Sequence, residues 1–323
     1  MMVATMTNPF THTPVLLRES LEMLRVRPGG TYIDATVGLG GHSEAIAVAM
    51  GADGRLLAID QDSDALEFAR KRLARFGSSV SLFRGNFAEI GAIAAAENFF
   101  QVDGVLMDLG ISSLHIQDAE RGFAISLDGP LDMRMNRNSD GPTAAEIVNE
   151  WDEEELANLF YRLGEERQSR RIARAVVAAR PLRTTRDLAK AAEQAVGNAR
   201  SRTHIHPATK VFLALRIAVN SELDSLDAAL PQACRLLGFG TGHGDGGRLA
   251  VISFHSLEDR IVKQYIRREA RDCICPPGLP VCTCGHRATL RDLARKAIRP
   301  GAAEVADNPR SRSAVLRAAE RIA

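Results

Sequence analysis

The stretch "DATVGLGGHS", residues 34–43, follows a short apolar run and carries three glycines where a predicted strand gives way to a predicted helix. Glycines at 38, 40 and 41 permit positive φ and let another molecule approach the backbone closely. Turns between a parallel strand and the next helix are typical small-molecule sites in α/β sheets. The stretch therefore predicts an α/β fold with a ligand held at the turn of Gly38, Gly40 and Gly41.

Strand-like and helix-like runs alternate over the first 110 residues, which predicts a parallel sheet with helices on both faces. From about residue 122 to 215 only helical periodicity is found, and a further strand then resumes the sheet. We therefore predict a doubly wound α/β domain, residues 1–121 and 216–323, interrupted by an all-helical inserted domain, residues 122–215. The expected parallel strands are 31–38, 54–62, 80–86, 102–110 and 248–256, and the expected antiparallel edge pair is 295–300 with 312–322.

The composition is that of a globular protein and not of a membrane-spanning or secreted one. With 45% hydrophobic and 25% charged residues, the chain has the make-up of a globular protein. No apolar run approaches the ~18 residues of a membrane span. The amino-terminal residues lack the basic and apolar regions of a signal peptide. We therefore expect a soluble cytoplasmic protein that does not associate with membranes.

The charges are distributed unevenly, although the net charge is only +1. Residues 161–218 contain 13 Lys and Arg against 4 Asp and Glu, and residues 260–321 contain 14 against 6. Such basic segments indicate a polyanionic partner, in particular a nucleic acid. The first segment includes four arginines with helical spacing, which would suit phosphate contacts or else form a solvated helix face. They are Arg167, Arg170, Arg171 and Arg174.

Three classes of ligand compete for the glycine turn. A nucleoside triphosphate is excluded, because the Walker pattern requires a lysine that this turn lacks. A nicotinamide dinucleotide is disfavoured, because Ser43 stands where its motif has a third glycine and Asp34 would repel a pyrophosphate. S-adenosylmethionine fits best, since Asp34 could accept hydrogen bonds from its ammonium group and Asp60, after the second strand, could bind its ribose hydroxyls. An unliganded tight turn is the remaining alternative.

Asp108 ends the fourth predicted strand, in "MDLGISS" (107–113). Ligands of doubly wound sheets bind outside the carboxyl ends of the strands, so Asp108 should face the reaction, unless it only caps the following turn. The loop lacks the cysteine nucleophile that methylation of a pyrimidine carbon requires. An exocyclic amine needs no covalent step, and Asp108 could orient it for in-line attack on a sulfonium methyl. His255 and Ser256, after the fifth strand, are further catalytic candidates on the substrate side, and His12 is a weaker one.

Eight segments spread along the chain carry long and uncommon motifs. They are "HTPVLL" (12–17), "DATVGLGGHS" (34–43), "AIDQD" (58–62), "DLGISS" (108–113), "RGFAISLDGPLDMRM" (121–135), "HPATKVFLALRIAVNSEL" (206–223), "ISFHSLEDRIVK" (252–263) and "NPRSRSAVLR" (308–317). In this order they resemble the bacterial small-subunit (16S) rRNA cytidine N4-methyltransferases, the RsmH or MraW family. The resemblance implies a class I (Rossmann-like) S-adenosylmethionine-dependent methyltransferase whose inserted helical domain recognises the substrate. It implies methyl transfer to the N4 amine of one cytidine in the decoding region of 16S rRNA, on the assembled small ribosomal subunit.

The resemblance also implies the roles of individual residues. The expected cofactor contacts are those of Gly40, Gly41 and His42 in the turn, Asp60 with the ribose, Phe87 with the adenine and Asp108 with the methionyl group. His115 stands where the family often has Gln, and because both side chains can donate a hydrogen bond, we expect this contact to be kept. Asp34 and Gly38 complete the predicted cofactor site.

The stretch "CICPPGLPVCTC" places four cysteines within twelve residues: Cys273, Cys275, Cys282 and Cys284. Four thiolates could close tetrahedrally around a structural zinc ion, although the spacing differs from the common C-x2-C pairs. Disulfides are not expected in a reducing cytoplasm, so the alternative is a reduced cysteine-rich loop. The stretch "HIH" (204–206) could mimic a metal-binding pair, but a substrate-facing or structural role is expected for it.

Two other functions would share part of this pattern. A methyltransferase of the same fold acting on DNA or protein would use the same cofactor residues and would differ only in the insertion and the long motifs. A non-catalytic RNA-binding scaffold would have no need for the three carboxylates Asp34, Asp60 and Asp108. The sequence therefore favours an enzyme.

Overall fold

The computed structural model describes residues 14–197, 206–239, 246–276 and 281–322. Among these, the residues up to Ser113 and from Leu226 onward form one compact unit, and Leu114–Ser225 form a second. The predicted insertion, residues 122–215, lies inside the second unit. No described helix is both long and apolar enough to cross a membrane.

The first unit is built on a seven-stranded sheet in the order β3-β2-β1-β4-β5-β7-β6. Its strands are β1 (Thr31–Asp34), β2 (Arg55–Asp60), β3 (Val80–Arg84), β4 (Gly104–Asp108), β5 (Arg248–Ser253), β6 (Leu290–Asp292) and β7 (Val315–Arg321). The first five strands are parallel, whereas β7 is antiparallel to both of its neighbours. The doubly wound parallel sheet predicted from the alternating pattern is confirmed.

The helices that cover the sheet form two separate layers. They are α1 (Leu17–Leu24), α2 (Gly41–Met50), α3 (Ser63–Leu73), α4 (Ile90–Ala96), α11 (Glu222–Leu236) and α12 (Ser256–Glu269). Two short helices are found elsewhere: α5 (Ser113–Gln117), which belongs almost wholly to the second unit, and α13 (Ala302–Asp307), in the first. Successive side chains of a strand point to opposite faces. Along β1, Tyr32 therefore packs with α1 and α2, whereas Ile33 packs with α4 and α11. Apolar residues at consecutive strand positions are accordingly buried on both faces, as in other parallel sheets.

The strand order reverses between β1 and β4, which lie side by side with Ile33 opposite Val105. At such a switch point the connections leave in opposite directions and open a crevice at the carboxyl ends of the strands. Asp34 ends β1 and Asp108 ends β4. The fold itself therefore brings two of the predicted site residues to the position where doubly wound sheets bind ligands.

The second unit is helical, and the described residues 114–197 and 206–225 contain no strand. Its main helices are α6 (Ala144–Glu150), α7 (Glu153–Arg162), α8 (Ser169–Ala178), α9 (Thr185–Val196) and α10 (Ala208–Asn220). Thr143, Asp152 and Thr184 each form a capping box at the start of a helix, which satisfies backbone N–H groups that a helix leaves unpaired. The all-helical character predicted for this part of the chain is confirmed.

Two details of the predicted sheet are wrong. The predicted strand 295–300 contributes only a single bridge, between Ile298 and Leu316, and the edge strand is β6 instead. β7 is not an edge strand, because it pairs with β5 on one side and β6 on the other. Its almost uninterrupted burial agrees with an inner position, and Pro300 has no N–H with which to extend a ladder.

Candidate ligand and catalytic site

The glycine turn connects β1 to α2. Gly38 and Gly40 have φ angles of +50° and +79°, in the left-handed region that glycine adopts without strain. Gly41 begins α2, and a Cβ at this position would overlap the ring of Pro14. Gly41 therefore leaves room for the ring of Pro14 at the start of α2, and the positive-φ glycines before it form a turn whose backbone N–H groups could bind a polar ligand group.

Asp60 ends β2, the neighbour of β1, and Phe87 follows β3, the next strand on the same side of the switch point. Oδ2 of Asp60 accepts a hydrogen bond from the N–H of Gly38 at 2.8 Å, and Oδ1 accepts one from the N–H of Asp62 at 2.9 Å. An ionised carboxylate can accept about four hydrogen bonds, so Asp60 can hold the turn and still bind a hydroxyl. Phe87 lies just beyond β3 and is half-buried against the core of the sheet.

Asp34 lies beneath the turn and is only 1% exposed. Its Oδ2 accepts a hydrogen bond from the hydroxyl of Ser43 at 2.6 Å, and its Oδ1 accepts one from the N–H of Thr36 at 3.2 Å. Burial raises the pKa of this carboxyl to about 6, against the opposing effects of the Ser43 hydrogen bond and the charge of His42. Both oxygens thus have protein donors, and the contact of Asp34 with an ammonium group stays a prediction.

Asp108 lies at the end of β4, and its backbone N–H donates to the hydroxyl of Thr36 at 2.6 Å. Its Oδ2 lies 3.4 Å from Nδ1 of His42. Its Oδ1 is buried and has no hydrogen-bond partner among the described residues. A buried acceptor without a donor costs about 1–3 kcal/mol. The carboxylate therefore retains an acceptor atom that a bound amine could satisfy.

His42 links this carboxylate to the start of α2. Its Nε2 lies 3.1 Å from the carbonyl oxygen of Val15. A carbonyl only accepts, so Nε2 carries a hydrogen and only Nδ1 is left to gain or lose a proton toward Asp108. Burial lowers the pKa of His42, but the hydrogen bond and charge of Asp108 and the charge of Asp34 outweigh it and raise the pKa above its ordinary value. Protonated His42 donates to Oδ2 and fixes the orientation of the carboxylate.

His255 and Ser256 lie where β5 passes into α12. His255 is mostly buried, and its Nε2 lies 3.1 Å from Oε1 of Glu258, whereas Ser256 is exposed. The other carboxylate oxygen of Glu258 accepts from the N–H groups of Phe254 and His255 at 2.9 and 3.3 Å. Glu258 is not among the residues predicted from the sequence, although it stands at the third helical position after His255, the spacing of a capping box. Glu258 therefore holds the backbone of His255 at the end of β5, whereas both ring nitrogens of His255 are buried without a hydrogen-bond partner among the described residues.

The remaining predicted ligand and substrate residues belong to the second unit. His115, on α5, is buried with its ring 4.8 Å from the ring of Phe123. Arg170, Arg171 and Arg174 are exposed on α8. Arg167 is also exposed but precedes α8, so the predicted helical spacing does not extend to it. The cause is Glu165, whose φ of +48° interrupts the helical path between α7 and α8.

The cysteines of the predicted metal site lie between α12 and β6. The Sγ atoms of Cys273, Cys275, Cys282 and Cys284 are all within 4.8 Å of one another. The fifth cysteine, Cys234, is buried in α11. Two of the predicted residues or motifs fall wholly or partly outside the described residues: His12 and the first two residues of "HIH".

Comparisons with known proteins agree on one family. A family model described as the MraW methylase family matches residues 9–322. A protein of Thermomicrobium roseum is 52% identical over 316 residues, which are 97% of this chain and 94% of the relative. Proteins of Dehalococcoides mccartyi and Syntrophotalea carbinolica are each 50% identical, over 97% of this chain and 87% and 98% of the relatives. All three are named ribosomal RNA small subunit methyltransferase H.

The buried Asp34 leads to a prediction about stability and pH. Its carboxyl has a pKa of about 6 in the folded chain, against 3.8 ordinarily. The folded protein therefore holds this proton more tightly, and the resulting stability is lost as the pH rises through about 6. Relative to Asp34→Asn, the wild type should lose roughly 3 kcal/mol of unfolding free energy between about pH 4 and pH 7.

Urea unfolding followed by circular dichroism at several pH values would measure this difference. Asp53→Asn, at an exposed turn, is the control and should follow the wild-type pH dependence. Parallel curves for wild type and Asp34→Asn would show that Asp34 does not titrate in this range.

Proposed function

The chain belongs to the MraW methylase family, and on that premise we propose that it transfers a methyl group from S-adenosylmethionine to the exocyclic N4 amine of a cytidine in small-subunit (16S) rRNA. The relatives' shared name supports an rRNA substrate. The observation that carries the chemistry is Asp108, whose buried Oδ1 faces no protein donor among the described residues. A target amine would supply the missing donor.

The cofactor site we propose is the crevice at the switch point. Gly38, Gly40 and Gly41 keep the turn free of side chains, and Asp60 is placed to accept hydrogen bonds from the ribose hydroxyls. Phe87 offers an apolar surface for the adenine, and His115 is proposed as a further contact. Asp34 supplies a negative charge below the turn. This combination suits a ligand that bears a ribose and a cationic group, which S-adenosylmethionine does.

When bound, S-adenosylmethionine supplies a methyl group on a sulfonium, with a neutral thioether as the leaving group. The lone pair of the N4 amine is delocalised into the cytosine ring, so the amine is a weak nucleophile. Oδ1 of Asp108 would accept one amine hydrogen and thereby turn the lone pair toward the methyl carbon. As the new N–C bond forms, the nitrogen becomes acidic and loses one proton, for which Asp108 is the acceptor at hand.

His42 positions Asp108 for this task. The carbonyl of Val15 holds the Nε2–H, so Nδ1 is directed at Oδ2, and Oδ1 is left for the substrate. We propose His42 as a positioning residue, and His255 and Ser256 as residues that contact the target nucleotide from the end of β5.

For the RNA we propose a contact surface on the second unit, formed by Arg167, Arg170, Arg171 and Arg174. All four guanidinium groups are exposed, and only that of Arg174 is within ion-pair distance of a described carboxylate, at 3.4 Å from Glu153. Exposed arginines without close acidic partners suit phosphate oxygens. The assembled small ribosomal subunit is the proposed partner, and such a substrate would place the enzyme in the cytoplasm.

The acceptor can be identified directly. The protein would be incubated with labelled S-adenosylmethionine and, separately, with small subunits that lack the modification, naked rRNA, DNA and bulk protein. We expect N4-methylcytidine in the nucleoside digest of the small subunits. Methyl transfer to DNA or protein instead would overturn the proposed substrate, and cofactor binding without transfer to any RNA would overturn the proposed reaction.

The proposed role of Asp108 predicts that its substitution lowers turnover much more than it lowers the affinity for S-adenosylmethionine. Asp108→Asn keeps the size of the side chain but removes its capacity to take a proton, and turnover should fall by about 10²–10⁴-fold. The affinity for S-adenosylmethionine, measured by calorimetry, should weaken only slightly. Asp64→Asn, at the exposed start of α3, is the control. Near-wild-type turnover of Asp108→Asn would exclude the proposed role.

The arginine surface predicts a change in salt dependence. Replacing Arg167, Arg170, Arg171 and Arg174 by Gln should reduce the slope of log affinity against log salt for the small subunit by about 3 if all four contact phosphates. Replacing Arg186 and Lys190, on α9, by Gln is the control and should leave the slope unchanged. An unaltered slope in the fourfold variant would place the RNA elsewhere.

A further inference from the structure

The described residues between α12 and β6 have almost no buried apolar side chains that could stabilise one conformation of this segment. None of its described residues, 270–276 and 281–289, is buried. Two of its apolar side chains, Ile274 and Val281, are 36% and 70% exposed. At its base, the N–H of Thr289 donates to the carbonyl of Glu269 at 2.9 Å and His286 contacts the carbonyl of Arg268 at 3.2 Å. The residues beyond these two contacts must be stabilised by some other interaction.

The four cysteines converge in that outer part. The Sγ atoms of Cys275 and Cys282 are 4.0 Å apart, those of Cys282 and Cys284 are 3.6 Å apart, and those of Cys284 and Cys273 are 3.9 Å apart. A disulfide requires about 2.05 Å, so these sulfurs are not placed as disulfides. In a tetrahedral site with Zn–S bonds of about 2.3 Å, the sulfurs lie about 3.8 Å apart. The three separations are within about 0.2 Å of this value, and the other three sulfur pairs lie within 4.8 Å.

The two cysteine pairs are arranged reciprocally. Ile274, between the cysteines of the first pair, donates its N–H to Sγ of Cys284 at 3.4 Å. Thr283, between the cysteines of the second pair, donates its N–H to Sγ of Cys275 at 3.4 Å. Each pair thus directs a backbone donor at a sulfur of the other pair. Such donors offset the negative charge that thiolate ligands bring to a metal.

From these distances we propose that Cys273, Cys275, Cys282 and Cys284 bind one structural zinc ion. All four positions of the tetrahedron are filled by thiolates, which leaves none for water or substrate and excludes a catalytic role for the ion. The site lies on the segment that follows α12 and leads into the edge strand β6, apart from the strand ends that carry Asp34 and Asp108. The ion would supply the order that apolar burial does not supply in this segment.

Metal analysis tests the proposal on the full-length protein purified under reducing conditions without chelator. We expect one zinc per chain. A mercurial reagent that reacts with the four thiols should release this zinc. Less than about half an equivalent of zinc, with no uptake by the reduced apoprotein, would overturn the proposal. Stoichiometric iron in its place would overturn the identity of the ion.

Variants show whether these cysteines are the ligands. Cys282→Ser with Cys284→Ser should lose the zinc, whereas Cys234→Ala, at the buried fifth cysteine, should keep one equivalent. Cys282→His offers a replacement ligand and should retain zinc with lower affinity. Binding of Co²⁺ to the apoprotein should give the intense visible bands of a tetrahedral thiolate site, and bands of an octahedral site would contradict the geometry.

A folding control separates loss of the metal from loss of the protein. The double variant should keep its far-ultraviolet circular dichroism and its affinity for S-adenosylmethionine, because none of the proposed cofactor residues belongs to the segment 270–289. The segment around residues 270–289 should then become more sensitive to proteolysis. Unchanged protease resistance together with complete loss of zinc would show that the ion does not order this segment.

Discussion

The parallel pairing of β1 with β4 is the constraint on which the remainder of the first unit depends. Because the strand order reverses between these two strands, a crevice opens at their carboxyl ends. Asp34 and Asp108 end the two strands, and Thr36 joins them by accepting the N–H of Asp108. The glycine turn, the start of α2 and His42 are all positioned with respect to this pair of strand ends. A shift in register would separate the carboxylates from the turn.

Three acidic side chains near one turn would repel one another unless each had a distinct environment. Asp60 is bonded to backbone N–H groups, Asp34 is buried with a hydroxyl donor, and Asp108 faces the imidazole of His42. These environments give the three carboxylates different chemical properties. Asp60 is suited to neutral hydroxyl donors, Asp34 can change protonation near neutral pH, and Asp108 keeps an acceptor atom for chemistry. Three residues of one type thus differ in their proposed roles because their partners differ.

The sequence pattern was sufficient for the features that depend on periodicity and chain order. Alternating strands and helices predicted the parallel sheet, and the ends of the predicted strands placed Asp34, Asp60 and Asp108 at one edge. Contacts between distant side chains could not be predicted in this way. The proximity of His42 to Asp108, and of Asp34 to Ser43, depends on side-chain directions at the start of α2. The position of β7 between β5 and β6 depends on pairing across distant segments, which local patterns do not encode.

The inner position of β7 affects how the protein can be made. β7 is the last strand of the described residues, yet it bonds to both β5 and β6. During synthesis β5 is therefore complete while one of its edges still lacks a partner, and the four central residues of this strand, 249–252, are apolar. An unpaired apolar edge is a template for pairing with other chains. A chain that stalls before residue 315 would expose that edge, so the interval before β7 is inserted is when a newly made chain is most prone to aggregate.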